Sequence, residues 1–167
     1  MTRSLTVTVA TLAALVLGVT SRTSADEKNR LVGTWKLVSA VSEDLASHQK
    51  TDIYKGKPVG FISYGADGRM MTIIVDSDRK KPAGPVASAP EAEALFRSMA
   101  AYAGTYTIKG NQVVHHADVS WNETWTGTDQ VRNFTFQGDR LILATAPSLD
   151  PHTGKMSVRT LAWEKIK

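Results

Sequence analysis

Short segments in which hydrophobic and polar residues alternate follow one another along the chain from Gly33 onward. They are rich in β-branched and aromatic residues and are separated by turns that contain glycine, which is the pattern of half-buried β-strands. Three turns, at 65–68, 110–111 and 138–139, combine glycine with Asp or Asn and are typical of tight hairpins. Eight strands are predicted, at 33–43, 59–64, 69–76, 105–109, 112–120, 128–137, 140–146 and 156–166. Successive hairpins give an antiparallel meander, and eight strands are enough to close it, so the pattern predicts an all-β, up-and-down barrel.

A segment between the third and fourth predicted strands breaks the alternation. Ser88, Pro90 and Glu91 provide the capping serine, the first-turn proline and the capping-box glutamate with which helices begin. Apolar residues follow at helical spacing, and Gly104 provides a stop. The apolar positions are Ala92, Leu95, Phe96, Met99, Tyr102 and Ala103. The pattern predicts one short helix whose apolar stripe is buried against a mouth or flank of the barrel.

The start of the chain has the layout of a secretory signal peptide. Arg3 precedes an apolar run at 5–19, and small residues precede a cut expected after Ala25. A retained membrane anchor is the alternative, but the run has about 15 residues, whereas a helix needs ~20 to cross the hydrocarbon core. The sequence therefore predicts a signal peptide at 1–25 and one barrel domain at 26–167. The mature protein is expected to be secreted or periplasmic, without stable membrane insertion.

Composition narrows the classes of protein further. The chain has 167 residues, of which 42% are hydrophobic and 22% are charged, as in an ordinary globular domain. It has no cysteine, which excludes a disulfide scaffold, a thiolate metal site and a cysteine nucleophile. The formal net charge is +4, but Arg3 and Arg22 contribute two of these charges in a segment without acids. The nearly balanced remainder has little affinity for a polyanion, so nucleic acid is not an expected partner.

Gly33, Thr34 and Trp35, at the head of the first strand, are similar to the Gly-x-Trp opening of the lipocalins. Further short motifs follow in order over nearly all of residues 31–166: GFISY (60–64), DGRM (67–70), AYAGTY (101–106), VHH (114–116), GTDQVR (127–132) and GDRL (138–141). Together they resemble the small lipocalin-like domain proteins of bacteria and fungi. The resemblance implies a calycin-type barrel and the binding of small apolar molecules, and a few such relatives act in natural-product pathways.

His115 and His116 are adjacent in the fifth predicted strand, so their side chains point to opposite faces and cannot bind one metal ion together. His115 shares its face with Val113 and Ala117, whereas His116 shares its face with Asp118. We therefore expect His115 inside the barrel and His116 outside. Two roles stay open for His115: a hydrogen-bonded core residue, or an imidazole that orients a polar ligand group or moves a proton.

Arg132 lies on the same strand face as Phe134 and Phe136, which are expected to point into the core. A guanidinium on that side needs a partner, because an unpaired buried charge is costly. One interpretation is a clamp for a ligand carboxylate or phenolate that sits between Arg132 and His115. The other is an ion pair with one of three acids: Asp118, Glu123 or Asp129.

The tryptophans and four further wall residues complete the expected cavity. Trp35 is interpreted as a structural plug at the closed end of the barrel, with its N–H bonded to a carbonyl. The resemblance implies that Arg140 or Arg159 lies over it. Trp121 and Trp125 flank a loop, where they either form the rim of a ligand entrance or cover the barrel end. Ligand contacts are also expected from Phe61, Tyr64, Met71 and Tyr106, in addition to His115, Arg132, Phe134 and Phe136.

The leading functional hypothesis is an extracytoplasmic binding protein for a small, mainly apolar molecule, with no metal or cofactor. One alternative is an isomerase or cyclase in which His115 and Arg132 act on a metabolite in the same cavity. Another is a filled barrel that interacts through its outer surface. The sequence lacks a glycine-rich phosphate loop, a nucleophile elbow and a His-Glu-x-x-His motif, so kinase, dehydrogenase and hydrolase functions have little support.

Overall fold

The computed structural model describes residues 24–54, 57–149 and 154–166. Most of the predicted signal peptide, at 1–23, lies outside the described residues. The elements of the described chain are α1 (Ser24–Leu31), β1 (Gly33–Asp44), β2 (Lys50–Asp52), β3 (Pro58–Tyr64), β4 (Arg69–Asp76), α2 (Ala89–Arg97), β5 (Met99–Lys109), β6 (Gln112–Ser120), a 3₁₀ turn (Glu123–Trp125), β7 (Asp129–Gln137), β8 (Arg140–Thr145), β9 (Ser148–Leu149) and β10 (Met156–Lys165). Within these ranges no helix combines the length and the apolar character needed to span a membrane.

Eight of these strands close into an antiparallel barrel in the order β1, β3, β4, β5, β6, β7, β8, β10, and β10 pairs with β1 to complete the ring. The closing pair runs from Trp35 opposite Lys165 to Asp44 opposite Ser157. The short strands β2 and β9 extend the sheet beside β1 and β10. The predicted eight-stranded, up-and-down barrel with a helix between its third and fourth strands is confirmed.

The inward face of β1 changes parity partway along the strand. Trp35 and Leu37 are buried, and a register shift between Leu37 and Ser39 makes Ala40 the next buried residue. A strict alternation along the predicted strand would put Trp35, Leu37, Ser39 and Val41 on one face, and the register shift makes this prediction wrong beyond Leu37. A β-bulge bends its strand, and β1 has to pair with both β3 and β10 to close the barrel.

The predicted helix is shorter than its apolar pattern implies. α2 ends at Arg97, and Met99, Tyr102 and Ala103 belong to β5, which pairs with β4 from Val75–Met99 to Arg69–Thr105. This ladder satisfies the backbone groups of β5 between two neighbouring strands, and the local helical spacing offers no equivalent burial. The expected burial of the stripe is also wrong, because α2 has no buried residue.

Phe61 on β3 and Met71 on β4 lie on the face opposite to the expected one, whereas Tyr64 lies inside as expected. Ile62, Tyr64 and Met70 are buried inside the barrel, whereas Phe61 and Met71 are 40% and 62% exposed on the outside. The inward placement expected for Phe61 and Met71 is wrong. Both parities of these strands carry large apolar residues, so alternation alone does not decide which face is inside.

One end of the barrel is closed by α1 and Trp35. Leu31 has no exposed surface, and its carbonyl accepts a hydrogen bond from the Trp35 Nε1–H over 2.8 Å, which provides the expected carbonyl partner. The cation over the indole ring is Lys165, with Nζ 5.1 Å from the ring centroid, because Lys165 lies opposite Trp35 in the closing pair. The expectation of Arg140 or Arg159 at this position is wrong.

Candidate functional site

The barrel contains a cavity of about 350 Å³ whose lining does not include Trp35. An eight-stranded barrel is either filled by its own side chains or holds one small ligand, and this volume lies in the range of ligand pockets. The wall is mostly aliphatic and aromatic, with a few polar groups. The lining residues are Ala40, Ile53, Tyr54, Ile62, Thr72, Ile74, Ala100, Tyr102, His115, Trp125, Gln130, Val131, Arg132, Leu143, Thr145, Ala146, Pro147, Ser148, Arg159, Leu161 and Trp163.

A chain of three hydrogen-bonded side chains borders this cavity. His115 on β6 has no exposed surface; its Nε2 lies 2.8 Å from the hydroxyl of Tyr64 on β3, and its Nδ1 lies 2.8 Å from the hydroxyl of Tyr102 on β5. The inward position predicted for His115 is confirmed. His116 points outward as predicted, and its Nδ1 lies 2.8 Å from a carboxylate oxygen of Asp129.

The three groups of this chain are uncharged near neutral pH. Burial, assisted by the positive charge of Arg132, lowers the pKa of His115 to about 3. Burial also raises the pKa of Tyr64 well above its ordinary value, and it raises the pKa of Tyr102. A neutral imidazole has one donor and one acceptor nitrogen, so one tyrosine donates to His115 and the other accepts from it.

Arg132 lies on the cavity wall, and its Nη1 donates to the carbonyl of Val131 over 2.8 Å. None of the ion pairs among the described residues includes Arg132. The expected ion pair with Asp118, Glu123 or Asp129 is therefore wrong. These acids contact other side chains: Arg69 for Asp118, Thr126 for Glu123 and His116 for Asp129. All three acids are exposed outside the barrel, whereas Arg132 borders the cavity.

The two loop tryptophans have different positions. Trp125 lines the cavity and packs edge-on against Tyr102, with ring centroids 5.7 Å apart. Trp121 packs against the outer side of Trp125 at 4.9 Å and against Phe96 of α2 at 6.2 Å. The cavity rim is thus formed by Trp125, and Trp121 joins it to α2.

Three of the expected ligand contacts line the cavity: His115, Arg132 and Trp125. Seven others do not: Phe61, Tyr64, Met71, Tyr106, Trp121, Phe134 and Phe136. Phe136 packs toward the closed end, 6.0 Å from Trp35, and the Tyr106 hydroxyl donates to the carbonyl of Gly65. Tyr64 reaches the cavity only through His115. Whether the three lining residues contact a ligand stays a prediction.

Sequence reasoning missed eight lining residues that carry polar groups: Tyr54, Thr72, Tyr102, Gln130, Thr145, Ser148, Arg159 and Trp163. Arg159 alternates with Leu161 and Trp163 along β10, so the period of two was available as a signal. Tyr102 was missed because its segment was assigned to the helix. In the described part of the chain, no group of three or more His, Asp or Glu side chains could hold a metal ion.

A protein-family model matches most of the chain. The model of the lipocalin-like domain family matches residues 32–166, which include every strand of the barrel from β1 to β10. No curated protein matches the chain.

Proposed function

The chain belongs to the lipocalin-like domain family, and from this we propose that it is an extracytoplasmic binding protein that holds a small, mainly apolar molecule inside its barrel. The cavity of about 350 Å³ carries the proposal. An apolar cavity of ~150 Å³ is sufficient to bind benzene, so a space about twice as large has room for a medium-sized ligand. A mostly apolar wall with a few convergent polar groups is the usual make-up of such a site.

The arrangement supports binding over the isomerase or cyclase alternative. A general base near neutral pH needs a pKa close to the working pH and a nitrogen within reach of the substrate. The pKa of His115 is about 3, and both of its ring nitrogens lie within hydrogen-bond distance of tyrosine hydroxyls. Its side chain has no exposed surface from which to take a proton.

Ligand binding is tested with the protein purified from its own host, by native mass spectrometry for a co-purifying molecule. Quenching of tryptophan fluorescence by fatty acids, retinoids and aromatic metabolites provides the second measurement, because Trp125 and Trp163 line the cavity. We expect a bound molecule or saturable quenching. The variant Ala100→Phe places a ring in the wall of the cavity and should abolish either signal.

Ala92→Phe is the matched control, because Ala92 is exposed on α2 and is not a lining residue. It should bind like the original protein. The absence of any bound molecule and of saturable quenching would reject the binding function. Equal signals from the two variants would place the bound molecule outside the barrel.

The extracytoplasmic location rests on the predicted signal peptide at 1–25. We expect the protein recovered from the medium or periplasm to begin at Asp26, as measured by intact mass and N-terminal sequencing. Recovery of the uncleaved chain from the cytosol of the native host would reject this part of the proposal.

A further inference from the structure

The charged side chains of the described cavity wall are all cationic. Arg132 and Arg159 both line it, and none of the described lining residues is an Asp or a Glu. Arg132 has five N–H donors, and the hydrogen bond to Val131 uses one of them. The Arg132 guanidinium borders an apolar cavity and pairs with no carboxylate among the described residues, so an anion that enters the cavity would stabilise it.

A hydroxyl donor faces the same space, as the direction of donation along the Tyr64–His115–Tyr102 hydrogen bonds shows. If Tyr102 donated to Nδ1, the Nε2–H would donate to Tyr64, and the proton of Tyr64 would then need a second acceptor. Tyr64 is 2% exposed, and the His115 ring is the sole hydrogen-bond partner of its hydroxyl among the described residues. A buried donor without an acceptor is costly.

The opposite direction of donation leaves no buried donor without an acceptor in the core. Tyr64 donates to Nε2, and the Nδ1–H of His115 donates to the oxygen of Tyr102. The proton of Tyr102 is then available, and Tyr102 lines the cavity whereas Tyr64 does not. An acceptor inside the cavity completes the hydrogen bonds of the chain.

A third donor lacks a partner at the same wall. Trp163 lines the cavity and is 1% exposed, and its buried Nε1–H has no acceptor among the described residues. Donors from Arg132, Tyr102 and Trp163 thus border a space whose described wall provides no acid. This imbalance is complementary to a ligand that carries acceptors and a negative charge.

We propose that the bound molecule is a small carboxylic acid with an apolar body, whose carboxylate accepts hydrogen bonds from the Arg132 guanidinium and the Tyr102 hydroxyl. The planar guanidinium matches a carboxylate with two parallel hydrogen bonds. The apolar body packs against the aliphatic part of the wall, which includes Ile62, Ile74 and Leu143. This inference rests on the proposed function and adds the chemical class of the ligand.

The experiment compares octanoic acid with octan-1-ol, which share an apolar chain and differ in the charged head group. Affinities for the full protein are measured at pH 7 by isothermal titration calorimetry. A charge-assisted hydrogen bond is lost in the alcohol, so the acid is expected to bind about 10- to 100-fold more tightly. This comparison needs no variant and does not depend on the folding of one.

Three variants test which residues cause the difference in affinity between octanoic acid and octan-1-ol. Arg132→Gln should weaken the acid about 10- to 100-fold and leave the alcohol nearly unchanged. Tyr102→Phe should weaken both probes, because either oxygen accepts from the hydroxyl. Arg140→Gln is the matched control, since Arg140 pairs with Glu164 on the surface, and it should change neither affinity. Far-ultraviolet circular dichroism and urea midpoints show that each variant is folded.

The outcomes separate this inference from the proposed function. If acid and alcohol bind equally and Arg132→Gln changes neither, the anionic head group is rejected while binding of an apolar molecule stands. If neither probe binds to the folded protein, both proposals are rejected for ligands of this size. If Arg140→Gln weakens the acid as much as Arg132→Gln does, the carboxylate binds to the surface and the inference is overturned.

Discussion

Acid should destabilise this barrel through one buried imidazole. The pKa of His115 is about 3 in the folded protein, against 6.5 for an ordinary histidine, because burial and the nearby Arg132 disfavour its charged form. Between these two values the unfolded chain binds a proton that the folded chain does not, so the free energy of unfolding falls as the pH falls. The contribution of His115 is complete above pH 6.5 and is progressively lost down to about pH 3.

The magnitude follows from the same two values. At about 1.36 kcal/mol per pH unit below 6.5, lowering the pH from 7.5 to 4.5 should cost about 2.7 kcal/mol. Only the lower edge of this window, near pH 4.5, reaches the range in which Glu43, Asp44 and Glu91, whose pKa values are lowered in the fold, lose their own contributions. For a domain whose whole stability is about 5–15 kcal/mol, the effect is a large fraction of the total.

The assay is urea unfolding followed by tryptophan fluorescence at pH 7.5, 6.5, 5.5 and 4.5. His115→Gln has a carboxamide that donates and accepts but does not titrate, so its free energy of unfolding should lose the acid-dependent part. The comparison uses the slopes against pH and not the starting stabilities, which the substitution changes as well. His116→Gln removes the exposed neighbour and should keep the steep slope of the original protein.

Two results would refute the reasoning. Equal slopes for the original protein and His115→Gln would mean that the imidazole is not neutral in the fold or is not sheltered from water. Loss of the slope in His116→Gln would assign the acid sensitivity to the surface pair with Asp129. Either result would also remove the basis for the hydrogen-bond polarity assigned to the tyrosine–histidine chain.

Two further predictions concern the closed end of the barrel and the β5–β6 pair. Trp35→Phe leaves the carbonyl of Leu31 without its partner and should lower the free energy of unfolding by about 1–3 kcal/mol. Trp121→Phe is the control and should cost less, because the N–H that it removes has no acceptor in the described chain. Equal losses of the free energy of unfolding in urea would contradict this prediction. Gly104→Ala places a methyl group against the β6 backbone and should lower the free energy of unfolding by about 1–3 kcal/mol. Gly84→Ala is the control, because its methyl group meets nothing within 4 Å. An unchanged free energy of unfolding in Gly104→Ala would show that the two strands can separate locally.

The barrel could be predicted because its signals are local and repeated. The turns at 65–68, 110–111 and 138–139 connect adjacent antiparallel strands, as their glycines indicated. The faces of β6 were also predictable, since His115 lies among small apolar residues and His116 beside an acid. In these segments the period-two pattern and the turn chemistry agree, so neighbouring strands add no conflicting information.

The errors occur where the local pattern has two solutions. Phe61 and Met71 lie in strands that are apolar on both faces, so only the closed ring decides which side is inside. The bulge after Leu37 follows from pairing β1 with two other strands, which no segment encodes alone. Tyr102 fits a helical stripe and a strand equally well, and its pairing with β4 decides for the strand. The lining residues of the cavity are mispredicted for the same reason, because the wall is assembled from strands that are distant in sequence.

The two roles that the sequence left open for His115 are compatible in the structure. The imidazole is a core residue, with no exposed surface and both nitrogens within hydrogen-bond distance of a tyrosine hydroxyl. Its ring lines the cavity, but both of its nitrogens are engaged by tyrosine hydroxyls. Because the Tyr64 hydroxyl has no other acceptor among the described residues, Tyr64 donates to His115 and His115 donates to Tyr102. In the proposed complex, the buried histidine acts on the carboxylate through the proton that it leaves on Tyr102, and the hydrogen bonding of the core is thereby coupled to the chemistry of the cavity.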